Sequence, residues 1–278
     1  MSPLLLLAVG LPLNAAAGFL AYRRNSVDAG GAAAGALIGT LIFVSGGPFF
    51  WLILGAFFVS STILGLYHGK EKERLSAIQE KGGRRDLLQV FANGGVGTAT
   101  AGLYRLTGNP AWAVAFAVSF ASSNADTWAS ELGVLSRRDP VSLLTFRPVP
   151  RGVSGGVSPR GFLAALGGAL FIALIFTAEN LPSHWVRGSF LGLVAFVTAG
   201  GFLGSLLDSL LGATVQAQYV EETAAGKAPP ATLTERRTSD GRKNRLMRGL
   251  VFVTNDIVNL ASCAAAAAAG FLLFALIA

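Results

Sequence analysis

The chain has 278 residues, 52% hydrophobic and only 13% charged, with a formal net charge of +7 and a mean hydropathy of +0.56. A water-soluble domain carries roughly 25% charged residues, so this composition excludes an ordinary soluble globule. The basic excess does not call for nucleic acid as a partner, because Lys and Arg gather in the cytoplasmic loops of membrane proteins.

The charges fall in a few blocks, and the apolar stretches between them approach the roughly 20 residues that a helix needs to cross a bilayer core. Eight segments are predicted, near 3–21, 30–46, 49–67, 88–105, 111–132, 160–179, 188–214 and 249–277, within a range of six to nine. The expected fold is all-α, a polytopic transmembrane helical bundle forming one integral membrane domain over 1–278. The first segment reads as a retained helix, since no A-x-A-type cleavage site follows it convincingly. Gly200, Gly201 and Gly204 predict a break in the seventh segment. The high glycine content (35 residues) is expected where membrane helices approach closely. Cys263, the single cysteine, excludes a disulfide within the chain and reads as a small buried hydrophobe.

Alternating crossings put the loops near 22–29, 68–87, 133–160 and 215–248 on one side, and these hold 20 of the 22 Lys and Arg residues. Only Arg105 and Arg187 fall opposite. The asymmetry orients the chain with these loops in the cytoplasm and both termini outside. The 68–87 loop mixes charge signs at helical spacing and reads as a solvated helix. The 215–248 loop reads as a flexible piece followed by a basic one, Arg236 to Arg248 including Lys243.

Polar residues recur where lipid-facing residues belong. In the fourth segment Asn93, Gly97, Thr100 and Tyr104 repeat at helical spacing, with Gln89 one turn earlier. The fifth carries Ser122, Ser123, Asn124, Asp126, Thr127, Ser130 and Glu131, too wide a polar arc to face lipid. The seventh aligns Gly201, Ser205, Asp208, Ser209, Gly212 and Gln216, and the eighth aligns Asn255, Asn259 and Ser262 with Asp256 beside them. Ionisable groups inside membrane segments are costly and face the bundle interior. Hydrogen-bond glue between helices explains a single Asn or Ser; four carboxylates on three segments point further, to a site.

That site is rich in oxygen donors and has no candidate histidine, since His68 and His184 lie in loops at opposite membrane faces. Oxygen donors of this kind suit Mg²⁺ held by one or two carboxylates and completed by water and phosphate. The fifth segment leads into Thr145-Phe146-Arg147-Pro148-Val149-Pro150-Arg151-Gly152-Val153-Ser154-Gly155-Gly156. Two arginines between prolines, followed by glycines, form a candidate oxyanion cradle, because Arg offers forked donors and exposed backbone N–H groups add to them. The Arg236–Arg248 stretch is a second, weaker candidate, since basic clusters beside a membrane also bind anionic lipid. The chain has no G-x-x-x-x-G-K-[ST] motif, which excludes a P-loop enzyme, and Asn93-Gly94-Gly95-Val96-Gly97 lacks the strand–helix context of a dinucleotide fingerprint.

At these motifs the chain resembles the membrane phytyl-phosphate kinase family, long known only as a domain-of-unknown-function family of integral membrane proteins. The resemblance is carried by NGGVGT at 93–98, SSNADTWASELG at 122–133, TFRPVPRGVSGGVSPRG at 145–161, GFLGSLLDSLLGATVQAQY at 201–219 and NDIVNL at 255–260. It implies a Mg²⁺-dependent enzyme that phosphorylates an isoprenoid monophosphate to the diphosphate from a nucleoside triphosphate, with CTP the first choice. Asp126, Glu131, Arg147, Arg151, Asp208 and Asn255 fall on the family's motifs. On that basis Asp126, Glu131, Asp208 and Arg147 are the expected catalytic residues, and Asp126, Glu131, Asp208 and Asp256 the expected metal ligands. Asn93, Asn124, Thr127, Arg147, Arg151, Gly155, Gly156, Ser205, Lys243, Asn255 and Asn259 are expected to bind substrate or nucleotide. The implied setting is a prokaryotic plasma membrane or a thylakoid or plastid membrane, with the site near the cytoplasmic face and a homodimer left open. Two rival readings remain: a cytidylyltransferase making a CDP-lipid, and a cation-coupled transporter using the same carboxylates.

Overall fold

A run of helix-start signals sets the architecture. In the computed structural model, which describes residues 2–67, 84–180, 186, 188–221, 232–239 and 241–277, seven helices appear: α1 (Pro3–Arg23), α2 (Ala29–Leu66), α3 (Leu87–Thr107), α4 (Pro110–Gly133), α5 (Pro159–Asn180), α6 (Phe190–Thr214) and α7 (Asn255–Ile277). Ser2, Asp28, Asp86, Asn109 and Ser189 cap five of them, each side chain accepting a backbone N–H of the first turn. Asp86 and Gln89 form a reciprocal capping box, and Gly108 ends α3 in the left-handed conformation. The second and third predicted segments are two limbs of α2, joined at a kink where Gly47 has φ 72° immediately before Pro48. Eight helical limbs therefore match the eight predicted segments.

Five helices, α1, α2, α5, α6 and α7, are long and apolar enough to cross a membrane. Large apolar side chains such as Leu4, Leu66, Leu191 and Leu276 stand exposed on them. Apolar surface on this scale suits lipid rather than water. The helix α4 is different. Residues 113–125 are buried throughout, and α2, α3, α5, α6 and α7 all pack against it, while α1 packs on α2.

Small residues make that central position accessible. A Cβ on Gly201 of α6 would lie 2.8 Å from the Ala121 carbonyl carbon, and one on Gly204 would lie 2.8 Å from Ser122 Cβ and 2.9 Å from Ala266 Cβ of α7. A Cβ on Gly168 of α5 would stand 2.9 Å from the Asn124 carbonyl oxygen. Contact at this range is tighter than side chains permit, so glycine sets the distance between helices. The expected break at Gly200, Gly201 and Gly204 is therefore corrected: α6 runs unbroken, and these glycines are packing sites. Beyond them, Phe50 reaches inward from the second limb of α2 and stacks on Phe116 at 4.2 Å and on Tyr104 at 5.3 Å.

The segments between helices hold short strands. β1 (Val141–Ser142) pairs with β2 (Gly156–Val157) across the arginine loop. After α6, β3 (Gln218–Glu221) lies between β4 (Thr232–Thr234) and β7 (Arg245–Arg248), and β5 (Thr238–Ser239) pairs with β6 (Arg242–Lys243). The basic piece expected after residue 235 is thus folded as small sheets. The eighth predicted segment begins later than 249, because Gly249 takes φ 81° in a turn and α7 starts at Asn255. Most of the 68–87 loop, with His68, lies outside the described residues, as does His184.

The α4–α6 contact should be intolerant of bulk. Gly201→Leu should destabilise the detergent-solubilised protein by about 3 kcal/mol or more, as overpacking does, whereas Gly102→Ala, where a Cβ meets nothing within 4 Å, should leave thermal unfolding unchanged or slightly improved.

Candidate functional site

Five helix ends converge on one cavity of about 290 Å³. The start of α3 brings Gln89 and Asn93, the end of α4 brings Asp126, Thr127, Ser130 and Glu131, and the end of α6 brings Ser205, Asp208 and Ser209. The start of α7 adds Asn255, Asp256 and Asn259, and the loop ahead of α5 closes the cavity with Arg151 to Ser158. The polar stripes seen in the sequence on four separate helices thus face one another at one end of the bundle.

Two carboxylates dominate the interior. Asp208 is buried on α6, where its Oδ2 accepts a 2.8 Å hydrogen bond from Ser262 Oγ of α7. It interacts electrostatically with Asp126 of α4 and with Glu235. Both helices need the glycine contacts above to bring these two acids near each other. Glu131 belongs to a different part of the wall: it interacts with the Arg85 guanidinium, and its Oε1 lies 3.7 Å from where a Cβ on Gly65 would stand. Burial lowers the Arg85 pKa from its ordinary value, and Glu131 opposes that shift. Asn259 is buried with its Oδ1 lacking a hydrogen-bond partner. An unsatisfied buried acceptor is costly unless something else supplies the bond.

The arginine loop is bolted to α6 and to the strands after it. Gly155 has φ 83°, and a Cβ there would sit 2.5 Å from the Ala213 Cα and N, so only glycine fits. Ser154 Oγ donates to Glu235 Oε1, while Gln216 Nε2 donates to Ser154 Oγ at 3.1 Å and to Glu235 Oε1 at 3.0 Å. Gln218 Nε2 donates to the Ser154 carbonyl at 3.2 Å. Arg151 is held at the rim by Asp139 Oδ1 at 3.2 Å and by the Arg137 carbonyl at 3.2 Å.

Of the expected site residues, Asn93, Asp126, Thr127, Glu131, Arg151, Gly155, Gly156, Ser205, Asp208, Asn255, Asp256 and Asn259 all line this cavity. Three do not. Arg147 is exposed on the loop, Lys243 is exposed on β6, and Asn124 is fully buried. Asn124 is occupied structurally: Nδ2 donates to the Gly168 carbonyl at 2.8 Å, and Oδ1 accepts from Ser60 Oγ at 3.1 Å, joining α2, α4 and α5. Two charged lining residues escaped the sequence reading, Arg85 and Glu235. Arg85 sat in a block read as a solvated face; its position immediately before the Asp86 capping box was the available signal. Glu235 had no signal, because it reaches the cavity only through the fold of the strands. Among the described residues, no three His, Cys, Asp or Glu side chains converge as a ready-made metal cage.

Fold and site together define a polytopic helical membrane protein with an oxygen-lined cavity at one end of its bundle. The chain belongs to the family described as integral membrane protein DUF92, whose profile matches residues 12–267. It is 32% identical over 235 residues to Protein PGR of Arabidopsis thaliana, covering 77% of this chain and 81% of that protein. It is 29% identical to an uncharacterized membrane protein of Methanocaldococcus jannaschii, covering 77% and 84%. It is 28% identical to the chloroplastic protein VTE6 of Arabidopsis thaliana, covering 69% of this chain and 57% of that protein. No solved structure matches.

The bonding of Asn124 predicts a stability phenotype. Asn124→Ala should lower unfolding stability by about 1–3 kcal/mol, the cost of leaving its partners unsatisfied, while ligand affinity measured at a temperature where the variant is folded should stay within about twofold of the parent; a loss of affinity without a loss of stability would return Asn124 to the binding site.

Proposed function

We propose that this chain acts in isoprenoid metabolism as a prenyl-monophosphate kinase, moving the terminal phosphoryl group of a nucleoside triphosphate, CTP by first choice, onto phytyl or a related prenyl monophosphate. The observation that carries the reading is a single cavity in which two carboxylates, the half-buried Asp126 and the buried Asp208, meet cationic groups, Arg85 and Arg151, and a glycine-shaped loop. Acids alone suit a cation pathway; acids with phosphate-type donors suit metal-assisted phosphoryl transfer. The motif resemblance to the phytyl-phosphate kinase family points the same way.

The donor set fits Mg²⁺. The acids and Asn259 Oδ1 offer hard oxygen atoms, and with no three-acid cage among the described residues the ion would be held by Asp126 and Asp208, its remaining positions going to water and phosphate. When bound, it supplies charge neutralisation across the donor phosphates, which with positioning provides most of phosphoryl-transfer catalysis. The chain's own groups do the positioning. Arg151 and the Gly155–Gly156 backbone hold donor phosphate oxygens, and Asn93, Asn255 and Asn259 orient the acceptor. Ser262 fixes the Asp208 carboxylate through its 2.8 Å hydrogen bond. An oxygen of the acceptor phosphate attacks the γ-phosphorus, the bond from that phosphorus to the β–γ bridging oxygen breaks, and nucleoside diphosphate leaves. The acceptor is already anionic at neutral pH, as a second phosphate pKa near 6 dictates, so no general base is required. Arg147, outside the cavity lining, takes no part in this scheme. On this reading the cavity opens to the cytoplasm, with both termini opposite, in line with the positive-inside asymmetry.

Purified protein supplied with labelled CTP, Mg²⁺ and geranylgeranyl or phytyl monophosphate should yield prenyl diphosphate and CDP. A CDP-lipid with pyrophosphate would instead identify a cytidylyltransferase, and absence of nucleotide turnover with cation flux in proteoliposomes would identify a carrier. Asp208→Asn should lower turnover by roughly a thousandfold or more while thermal unfolding stays close to the parent's; full activity in that variant would remove Asp208 from the mechanism. Ser262→Ala should lower kcat more mildly, by about tenfold, the scale of one hydrogen bond to a charged group.

A further inference from the structure

Beside the polar cavity lies a second, largely apolar one, lined mainly by α1, α2 and α3. The two share four lining residues, Arg85, Gln89, Asn93 and Thr127, so the hydrocarbon-lined space begins where the phosphate-type donors end. Its walls include Ile38, Leu54, Phe57 and Phe58, with Gly35 and Gly55 leaving room between them. A Cβ at either of these glycines would meet nothing within 4 Å. The space runs inward as far as Asn14 and Trp51. Asn14 lies nine residues before the end of α1, roughly 13 Å along the helix at the α-helical rise. The polar atoms at that depth are already satisfied: Trp51 Nε1 donates to Asn14 Oδ1 at 2.8 Å, and Asn14 Nδ2 donates to the Gly10 carbonyl at 2.8 Å. Each of these polar atoms therefore has a partner within the protein.

Arg85 stands at the junction and is held firmly there. Its backbone pairs with the start of α2, with Asp28 N–H donating to the Arg85 carbonyl at 3.0 Å and Arg85 N–H donating to the Ser26 carbonyl at 3.2 Å. A Cβ on Gly31 would collide with that same carbonyl. The guanidinium lies 5.6 Å over the Phe58 ring and reaches Thr62 Oγ1 at 3.5 Å. The site is built from a fixed cation, a polar cavity on one side and an apolar cavity on the other.

We propose that the α1–α2–α3 cavity holds the hydrocarbon tail of the acceptor, and that Arg85 at its mouth holds the acceptor's phosphate. This deepens the kinase reading and rests on it for the identity of the tail as isoprenoid. A single amphiphilic molecule, an anionic head on a long apolar chain, matches the two joined cavities.

The test reads capture rather than turnover. Full-length protein in nanodiscs is photolabelled with a C15 prenyl monophosphate bearing a terminal diazirine, and the labelled peptides are mapped. The expected label falls in α1 or α2 near Trp51 and Leu54, is displaced by excess unlabelled prenyl monophosphate, and is displaced by the prenol of the same length only at about tenfold higher concentration. Gly35→Leu and Gly55→Leu, which place their side chains in open space and so preserve folding, should each reduce that label at least fivefold. Arg85→Gln should weaken capture of the monophosphate about tenfold while leaving capture of the prenol unchanged. Label in other helices, label unaffected by both glycine variants, or equal displacement by prenol and monophosphate, as a general lipid site would give, overturns the proposal. Specific label in the cavity of a protein that makes no prenyl diphosphate would keep the tail site and discard the kinase reaction.

Discussion

Close packing of α4 against α6 and α7 is the constraint on which the rest depends. A helix with Ser122, Ser123, Asn124, Asp126, Thr127 and Glu131 along it cannot lie against lipid, where unsatisfied polar groups cost several kcal/mol each. It must be enclosed by other helices. Gly168, Gly201 and Gly204 remove the side chains that would hold those neighbours away. Backbone approach then brings Asp126 and Asp208 close enough to interact and lets Ser262 reach Asp208. The same contact that stabilises the bundle therefore assembles the acids.

Enclosure also explains how labour is divided among the helices. The outer helices carry exposed Leu and Ile and match the bilayer, while α3 and α4 fall short of membrane-spanning hydropathy because their polar faces serve the interior. At the end where the basic loops lie, helix ends and loop backbone replace lipid-facing side chains. Polar and charged groups accumulate there with local partners, as with Gln216, Ser154 and Glu235. The apolar cavity alongside continues the bundle's interior surface. An amphiphile can use both spaces without leaving the protein.

Much of this was legible in the sequence, and the reason is periodicity. A lipid-facing helix gives an uninterrupted apolar run, and a site-lining helix gives polar residues at helical spacing, so the segments and the stripes on α3, α4, α6 and α7 stand out directly. Residue type, however, does not reveal which role a small or polar residue plays. Gly200, Gly201 and Gly204 suggested a break because glycine weakens isolated helices, yet tight interhelical contact outweighs that preference here. Asn124 shares a stripe with Asp126, but its partners Ser60 and Gly168 lie far away in sequence and engage both of its amide atoms. Glu235 reaches the cavity only through the strands after α6, which no local pattern encodes, whereas Arg85 is placed by its bridge to Val27, with the capping box that follows it as the one local signal. Conversely, Arg147 and Lys243 had the right chemistry in basic segments but stand exposed away from the cavity.

The central claim is that the oxygen-lined cavity binds a nucleoside triphosphate together with Mg²⁺ through Asp208. Thermal unfolding of the purified protein with CTP, with Mg²⁺, and with both tests it most directly. The account predicts stabilisation only when both are present, by about 2.7 kcal/mol at a ligand concentration one hundred times Kd, and its loss in Asp208→Asn. Equal stabilisation of the parent and Asp208→Asn, or none in the parent at millimolar CTP and Mg²⁺, would contradict it.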